Sequence, residues 1–325
     1  MSQTSPPPSP DATAATDGAR PVRRVLMLTH TGREEARSAA REVAAALAGH
    51  GMVVRMIARE ALDLAMTVDV ETTEDESGAS AGCELTLVIG GDGTILRAAE
   101  ITRDSGTPVL GVNLGHVGFL AEAEHDDLAS VIDAVVARRY TVEDRMSIDV
   151  RVLRDGEVVT STFALNEASV EKAARERMLE VVVEVDGRPL SRWGCDGVVC
   201  ATPTGSTAYN FSAGGPVVWP GVEALLMVPI SAHALFARPL VVAPTSVLAV
   251  EVLARTDSAG VLWCDGRRAV DLPPGARIEV RRGERPVRLA RLHEAPFTDR
   301  LVAKFGLPVE GWRGSAERRR RGQHA

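Results

Sequence analysis

Between residues 24 and 113, short apolar runs alternate with helical stretches, and this order restricts the fold more than any other feature of the chain. RVLMLTH (24–30) reads as a strand, and 34–49 as an Ala-rich helix with apolar positions three and four apart. MVVRMI (52–57), ELTLVIG (84–90) and TPVLGVN (107–113) read as further strands. Strands joined through helical crossovers run parallel, which implies an α/β, Rossmann-like N-terminal domain built on a parallel sheet. The acidic, Gly- and Ser-rich connection TVDVETTEDESGASAG (67–82) is expected to be a mobile loop.

From about Met146 the period becomes two. SIDVRVLRDGEVVTSTFALNEASV and LEVVVEVDGRPL alternate around the pairs Asp155, Gly156 and Asp186, Gly187, residues that tolerate the positive φ of tight hairpins. VLAVEVLA, VLWCDGRRAVDL and RIEVRRGERPVRLARL continue the alternation. The second half is therefore expected to be an all-β C-terminal domain of antiparallel strands. Residues 1–21, rich in Pro, Ser, Thr and Ala, read as a disordered tail, 22–145 as the α/β domain and 146–295 as the β-rich domain. A C-terminal segment spans 296–314, and 315–325, with its run Arg318 to Arg321, reads as a disordered basic tail.

At 325 residues and 45% hydrophobic, the chain can bury two moderate cores. A net charge of −7 argues against a nucleic acid or a membrane as its general partner but leaves a local phosphate site open. Cys83, Cys195, Cys200 and Cys264 form no CxxC pair and read as buried apolar fillers rather than zinc ligands. No run approaches the roughly 18 apolar residues of a membrane span, and no charged n-region precedes an apolar h-region of the signal-peptide kind. A reduced, cytoplasmic, soluble protein is expected.

In LVIGGDGTILRAAE (87–100), an apolar strand enters Gly90, Gly91, Asp92, Gly93 and Thr94 and then a helix. A turn after a parallel strand lies at the carboxyl edge of the sheet, where open α/β folds bind ligands. Glycines let backbone N–H groups approach a phosphate, and the next helix adds its positive end. Neither G-x-G-x-x-G nor a Walker lysine is present. An aspartate repels phosphate, so Asp92 calls for a bound cation or a proton to accept. A denser stretch, CDGVVCATPTGSTAYNFSAGGPVV (195–218), places Thr202, Thr204, Ser206 and Thr207 within six residues and follows them with Tyr209 and Asn210. Hydroxyls and amides at this density suit sugar hydroxyls and phosphates, and Tyr209 offers a ring to a base. Asn166 and Glu167 end an alternating strand, a position that alone carries little information.

GGDGT, then NE at 166–167, then DGVVCATPTGSTAYNFSAGGP together resemble NAD kinases, which phosphorylate the 2′-hydroxyl of the adenosine ribose of NAD. The resemblance continues through VPISAHALFARPLVV and PFTDRLVAKFGLPVEGWRG, covers nearly all of residues 22–314, and in its ending looks like the actinobacterial branch. It implies that Asp92 is the proton acceptor, Gly93 an adjoining ligand contact and Arg97 a basic residue near the nucleotide. Gly90, Gly91, Gly93 and Thr94 would form the loop over the ATP phosphates. Asn166 and Glu167 would contact NAD, with Arg177 and Asp196 as further polar contacts. Thr207, Ala208, Tyr209, Asn210, Phe211 and Ser212 would line its adenosine part.

ATP is the implied donor, with polyphosphate as an alternative that no residue decides, and Mg²⁺ is the implied cation, without assigned ligands. A homo-oligomer, dimer or tetramer, joined through the β domains is implied, as is the return of 296–314 to the first domain. In one departure, some bacterial members carry glutamine just after the aspartate that here is Asp265, whereas this chain has Gly266, Arg267 and Arg268. A lipid kinase with the same glycine turn would have no use for TPTGSTAY, and a non-catalytic nucleotide sensor would gain nothing from Asp92.

Overall fold

In the computed structural model, the described residues are 22–113, 118–121, 123–124, 128–175, 177–254, 259–292 and 296–309. The tails expected at 1–21 and 315–325 lie outside them. The first half forms β1 (Arg24–Thr29), α1 (Glu34–Gly49), β2 (Val53–Ile57), α2 (Ala58–Leu64), β3 (Glu71–Thr73), β4 (Leu85–Ile89), α3 (Asp92–Ile101), β5 (Val109–Asn113), β6 (Ala123–Glu124), α4 (Leu128–Val136) and β7 (Thr141–Arg145). Strands β3, β2, β1, β4 and β5 are neighbours in that order, and all pair in parallel.

Because such a sheet is covered on both faces, its central strands β1, β4 and β5 are buried almost throughout rather than alternating. Along β1, Val25 and Met27 enter a core shared with α1 and α4, while Leu26 and Leu28 enter a second core shared with α3. In α1 the residues Ala36, Ala39, Ala40, Val43, Ala44 and Leu47 are all buried, on the face that the 3–4 spacing marks. Glu34 and Glu35 stand in its first turn, where the helix dipole favours acidic groups. The connection 67–82 is not structureless: Glu71–Thr73 adds an edge strand to β2, and Glu71 pairs with Arg24 and Arg55. Its acidic composition conceals a strand because its partners are arginines on β1 and β2.

The second half contributes β8 (Ile148–Arg154), β9 (Glu157–Ala164), β10 (Glu167–Lys172), β11 (Leu179–Val185), β12 (Arg188–Cys195) and β13 (Gly197–Ala201). A 3-10 turn (Thr204–Thr207) and α5 (Tyr209–Ser212) follow. Then come β14 (Leu225–Ile230), β15 (Leu240–Val242), β16 (Leu248–Val252), β17 (Gly260–Cys264), β18 (Arg268–Leu272), β19 (Arg277–Arg282), β20 (Val287–Arg291) and α6 (Phe297–Phe305).

Two six-stranded antiparallel sheets result, in the orders β15-β14-β13-β10-β17-β18 and β12-β11-β16-β19-β8-β9. Their inner faces share one core, to which Val150, Val181, Val183, Ala168, Val198 and Leu262 all belong. Asp155, Gly156, Asp186 and Gly187 all have positive φ, as two-residue hairpin turns require, and Asp265 and Gly266 repeat the pattern between β17 and β18. Cys195, Cys200 and Cys264 are buried, and burial pushes each thiol up to about 12, as expected of packing residues rather than nucleophiles.

One boundary differs from the sequence reading. β20 falls within the 146–295 span yet joins the first sheet, parallel to β5 and antiparallel to β7. Val287 and Leu289 are buried on either side of the exposed Arg288, the same period as in the antiparallel sheets, so the pattern marks a strand without naming its sheet. Among the described residues, no helix is long and apolar enough to cross a membrane.

Candidate active site

Asp92 is the first residue of α3, preceded by Gly91 in extended conformation as N-cap. Its carboxylate is fixed from a segment the sequence reading did not single out. The Phe119 N–H donates to Oδ2 at 3.1 Å and the Leu120 N–H to Oδ1 at 3.2 Å. Gly118 makes the approach possible, because a Cβ there would stand 2.5 Å from Asp92 Oδ1.

Gly91, Gly93 and Thr94 line a cavity of about 600 Å³, together with Thr29 at the end of β1 and residues 30–33 beyond it, Leu96 and Arg97 of α3, and Asp265, Gly266 and Arg267. First-turn N–H groups of a helix lack intrahelical acceptors, so α3 points donors toward this space. Arg97 is held at the cavity by Glu60, and by Glu76 at 2.6 Å from its Nε. Burial opposes its charge, but the two carboxylates outweigh burial and hold its pKa above the ordinary arginine value. Its buried Nη2 has no hydrogen-bond partner among the described residues, which leaves a donor for a ligand. Glu60 is itself buried in α2 and accepts the Thr29 N–H at 2.9 Å. A lone glutamate in an amphipathic helix gives no sign of this role in sequence.

The second cluster is organised by Asp265. Its carboxylate accepts the backbone N–H groups of Leu165 (3.0 Å), Asn166 (2.7 Å) and Glu167 (3.4 Å), and Arg268 pairs with it at 2.9 Å. Burial raises its pKa against these donors. The same turn therefore walls the cavity and anchors Asn166 and Glu167. Arg267, left without a role by the sequence, lines that wall and reaches Glu100 of α3 at 3.4 Å.

Thr202 completes the anchor: its hydroxyl donates to the Leu165 carbonyl at 2.6 Å and accepts the Gly205 N–H at 3.0 Å. Glu167 is buried, with Oε2 unpartnered among the described residues. Burial first, and then the charge of Asp265, raise its pKa to about 8, opposed by the Tyr209 N–H.

Tyr209 and Phe211 present exposed rings beside this cluster, with Thr207 and Ala208 half-buried. Asn210 is turned inward instead, its amide donating to the Ser206 and Pro216 carbonyls at 3.2 Å each. Asp196 pairs with Lys172 at 2.5 Å, and that hydrogen bond holds its carboxyl below the usual range. Lys172 ends the strand that Glu167 begins, which puts Asp196 a strand's length from Glu167. Arg177 is exposed on the connection from β10 to β11.

Two family models match, the ATP-NAD kinase N-terminal domain over residues 25–140 and the ATP-NAD kinase C-terminal domain over 165–292. The chain belongs to the ATP-NAD kinase family.

It is 63% identical over 295 residues to NAD kinase 2 of Streptomyces coelicolor, covering 90% of this chain and 98% of that one. It is 62% identical over 305 residues to the NAD kinase of Thermobifida fusca, covering 91% and 93%. The crystal structure of yeast NADH kinase complexed with NADH superposes with a TM-score of 0.81 at 25% identity, covering 90% of each chain. An Archaeoglobus fulgidus NAD kinase in complex with ATP superposes with a TM-score of 0.66 at 25% identity, covering 88% of this chain and all of that one. The α/β and β-rich halves are thus the two domains of an ATP-NAD kinase, and the chain is a kinase, a phosphotransferase acting on NAD.

Proposed function

We propose that the chain transfers the γ-phosphate of ATP to the 2′-hydroxyl of the adenosine ribose of NAD, giving NADP and ADP. The observation that carries this reading is the Asp265 turn, which closes the cavity beside Gly91 and Gly93 and also anchors Asn166 and Glu167. Donor and acceptor sites then lie on two sides of one hairpin.

Phosphoryl transfer needs alignment and charge stabilisation more than a strong base. The donor phosphates occupy the cavity, against the first turn of α3 and the open Nη2 of Arg97, with Arg33 and Arg267 on the same walls. NAD lies along Asn166, Glu167 and residues 207–212. Near pH 7 a Glu167 with a pKa of about 8 is largely neutral, so it suits a ribose or base and does not repel an anionic dinucleotide. Each Asp92 oxygen keeps a lone pair beyond the amide it already accepts. One oxygen takes the hydrogen bond of the 2′-hydroxyl, and then its proton as the new O–P bond forms and the bond to ADP breaks.

Mg²⁺ enters this reading with the donor's phosphate oxygens, the usual setting for that ion. Among the described residues there is no group of three or more His, Cys, Asp or Glu that could hold a metal, and Mg²⁺ bound with the donor would supply charge neutralisation at its phosphates. Polyphosphate, which presents the same terminal phosphoryl group, is the alternative donor for the same cavity. A homo-oligomer, dimer or tetramer, is supported by Leu235 and Phe236, exposed apolar side chains before β15 whose burial a second copy would supply. A cytoplasmic setting agrees with four unpaired cysteines.

Asp92→Asn is the test. It is expected to keep NAD affinity within several-fold and to lower kcat by about 10²-fold or more, on the scale of general-base effects. Near-normal turnover by a folded variant in an NADP-formation assay would remove Asp92 from this role.

A further inference from the structure

Helix α6 buries none of its residues, yet it touches both sides of the site. Phe297 and Phe305 pack against Phe119 at 6.1 and 5.9 Å between ring centroids. Phe305 continues to Phe211 at 4.6 Å, and Phe297 meets the edge of Trp219 at 5.2 Å. Phe119 belongs to the segment that holds Asp92, and Phe211 to the segment 207–212. Between the two phenylalanines, Arg300 Nη1 donates to the carbonyls of Phe119 at 3.1 Å and Ala121 at 2.9 Å. Arg291 Nη1 donates to the Leu120 carbonyl at 3.2 Å. Positions 297, 300, 301, 304 and 305 fall on one helical face, so α6 presents Arg300 framed by its two rings.

Two guanidinium groups thus pin three consecutive carbonyls, while the N–H groups of the same segment hold both oxygens of Asp92. The Phe119 carbonyl and the Leu120 N–H belong to one planar peptide group. A cation on the carbonyl end polarises the N–H end, and that N–H is the donor to Asp92 Oδ1. The segment can then neither drift from Asp92 nor turn its amides away.

We propose that Arg300 is a positioning residue for the phosphoryl transfer, acting through residues 119–121 on Asp92, and that Phe305 links this brace to the acceptor segment at Phe211. The proposal rests on the reading of Asp92 as acceptor of the 2′-hydroxyl proton. A surface arginine that merely secured the end of the chain would affect stability, not the rate attributable to Asp92.

The experiment measures steady-state NADP formation from NAD and ATP, with thermal midpoints, for the full chain and for Arg300→Ala, Arg300→Lys, Asp92→Asn and Arg300→Ala with Asp92→Asn. Arg300→Ala is expected to lower kcat by about 10- to 10²-fold, the scale of a misplaced catalytic group, while KM for both substrates stays within about threefold. Arg300→Lys, which keeps a cationic donor within reach of the carbonyls, recovers part of that loss. In the Asp92→Asn background, Arg300→Ala should change the residual rate by less than about twofold, because the group it acts through is already gone.

Near-normal kcat in a folded Arg300→Ala variant would overturn the proposal, as would an equal rate loss in both backgrounds. If the alanine variant does not fold, Arg300→Met, which keeps the aliphatic stem but offers the carbonyls no donor, is compared in the two backgrounds under the same criteria. Near-normal turnover by Asp92→Asn alone would instead overturn the reading of Asp92.

Discussion

At Glu167, burial and the neighbouring Asp265 carboxylate act in the same direction, and the folded protein holds the group near pKa 8 against an ordinary value of 4.5. The folded state therefore binds this proton more tightly than the unfolded chain does. Its contribution to stability is fully present below about pH 4.5 and is lost as pH rises through 8. Glutamine at this position has no charge to bury. The stability gap in favour of Glu167→Gln should thus widen from pH 5 to pH 8.5, by up to about 1.4 kcal/mol per pH unit. Thermal unfolding of both proteins across that range measures the gap, and one that does not change with pH would contradict a buried, neutral Glu167. Asp196 behaves in the opposite way, kept charged by Lys172. The resemblance gave these two carboxylates the same kind of role. Sequence reports residue type, and what separates the two groups is burial and partners contributed by distant strands.

Among the elements, the 3-10 turn Thr204–Thr207 and the start of β10 are fitted backbone to backbone. A Cβ on Gly205 would stand 2.0 Å from the Asn166 carbonyl oxygen, with no flexible side chain to yield. Gly205→Ala must push Asn166 and Glu167 away from the turn, or the turn away from them. Overpacking of this kind costs about 1–3 kcal/mol, and the displaced residues are those assigned to NAD. KM for NAD should rise by about tenfold or more, with a smaller loss of kcat, a pattern that identifies lost substrate binding. Wild-type KM together with a wild-type melting temperature would show that the contact is not tight.

The density of hydroxyls and glycines in TPTGSTAY pointed to this turn, and the period-two alternation located β10. That Gly205 rests on Asn166, that Thr202 ties the two segments together and that Asp265 holds Asn166 in place is a fact of tertiary pairing that no local pattern carries. Phe119 and Leu120 carry no sequence signal for the same reason, since they act through backbone N–H groups that every non-proline residue possesses.

For the whole molecule the question is whether the two halves fold as one. Helix α3 begins at Asp92, and just beyond its end Arg103 reaches into the β-rich half, donating to Ser147 Oγ at 2.9 Å and pairing with Asp149 at 2.6 Å. The same guanidinium lies 4.4 Å from the Phe163 ring centroid, and Arg268 lies 4.3 Å from it. Phe163 and Leu165, at the end of β9 and just after it, are buried in the core that contains Leu26, Leu28 and Val88 of the first sheet. The chain also crosses between the halves from β7 to β8 and from β19 to β20. The alternating pattern made the two halves legible, but the 146–295 boundary missed this interlock. A strand whose inward residues enter the neighbouring domain's core has the same period as one that keeps them at home.

A shared core makes melting of one half expose apolar surface of the other, so a single cooperative transition is expected, with calorimetric and van 't Hoff enthalpies in agreement. Phe163→Ala removes the ring that both arginines flank and should cost about 3–5 kcal/mol, as for other buried phenylalanines. Because the loss falls on the joint and not within either sheet's own core, it should separate the endotherm into two. A single transition shifted to lower temperature would show instead that Phe163 only adds stability and that the halves are coupled elsewhere.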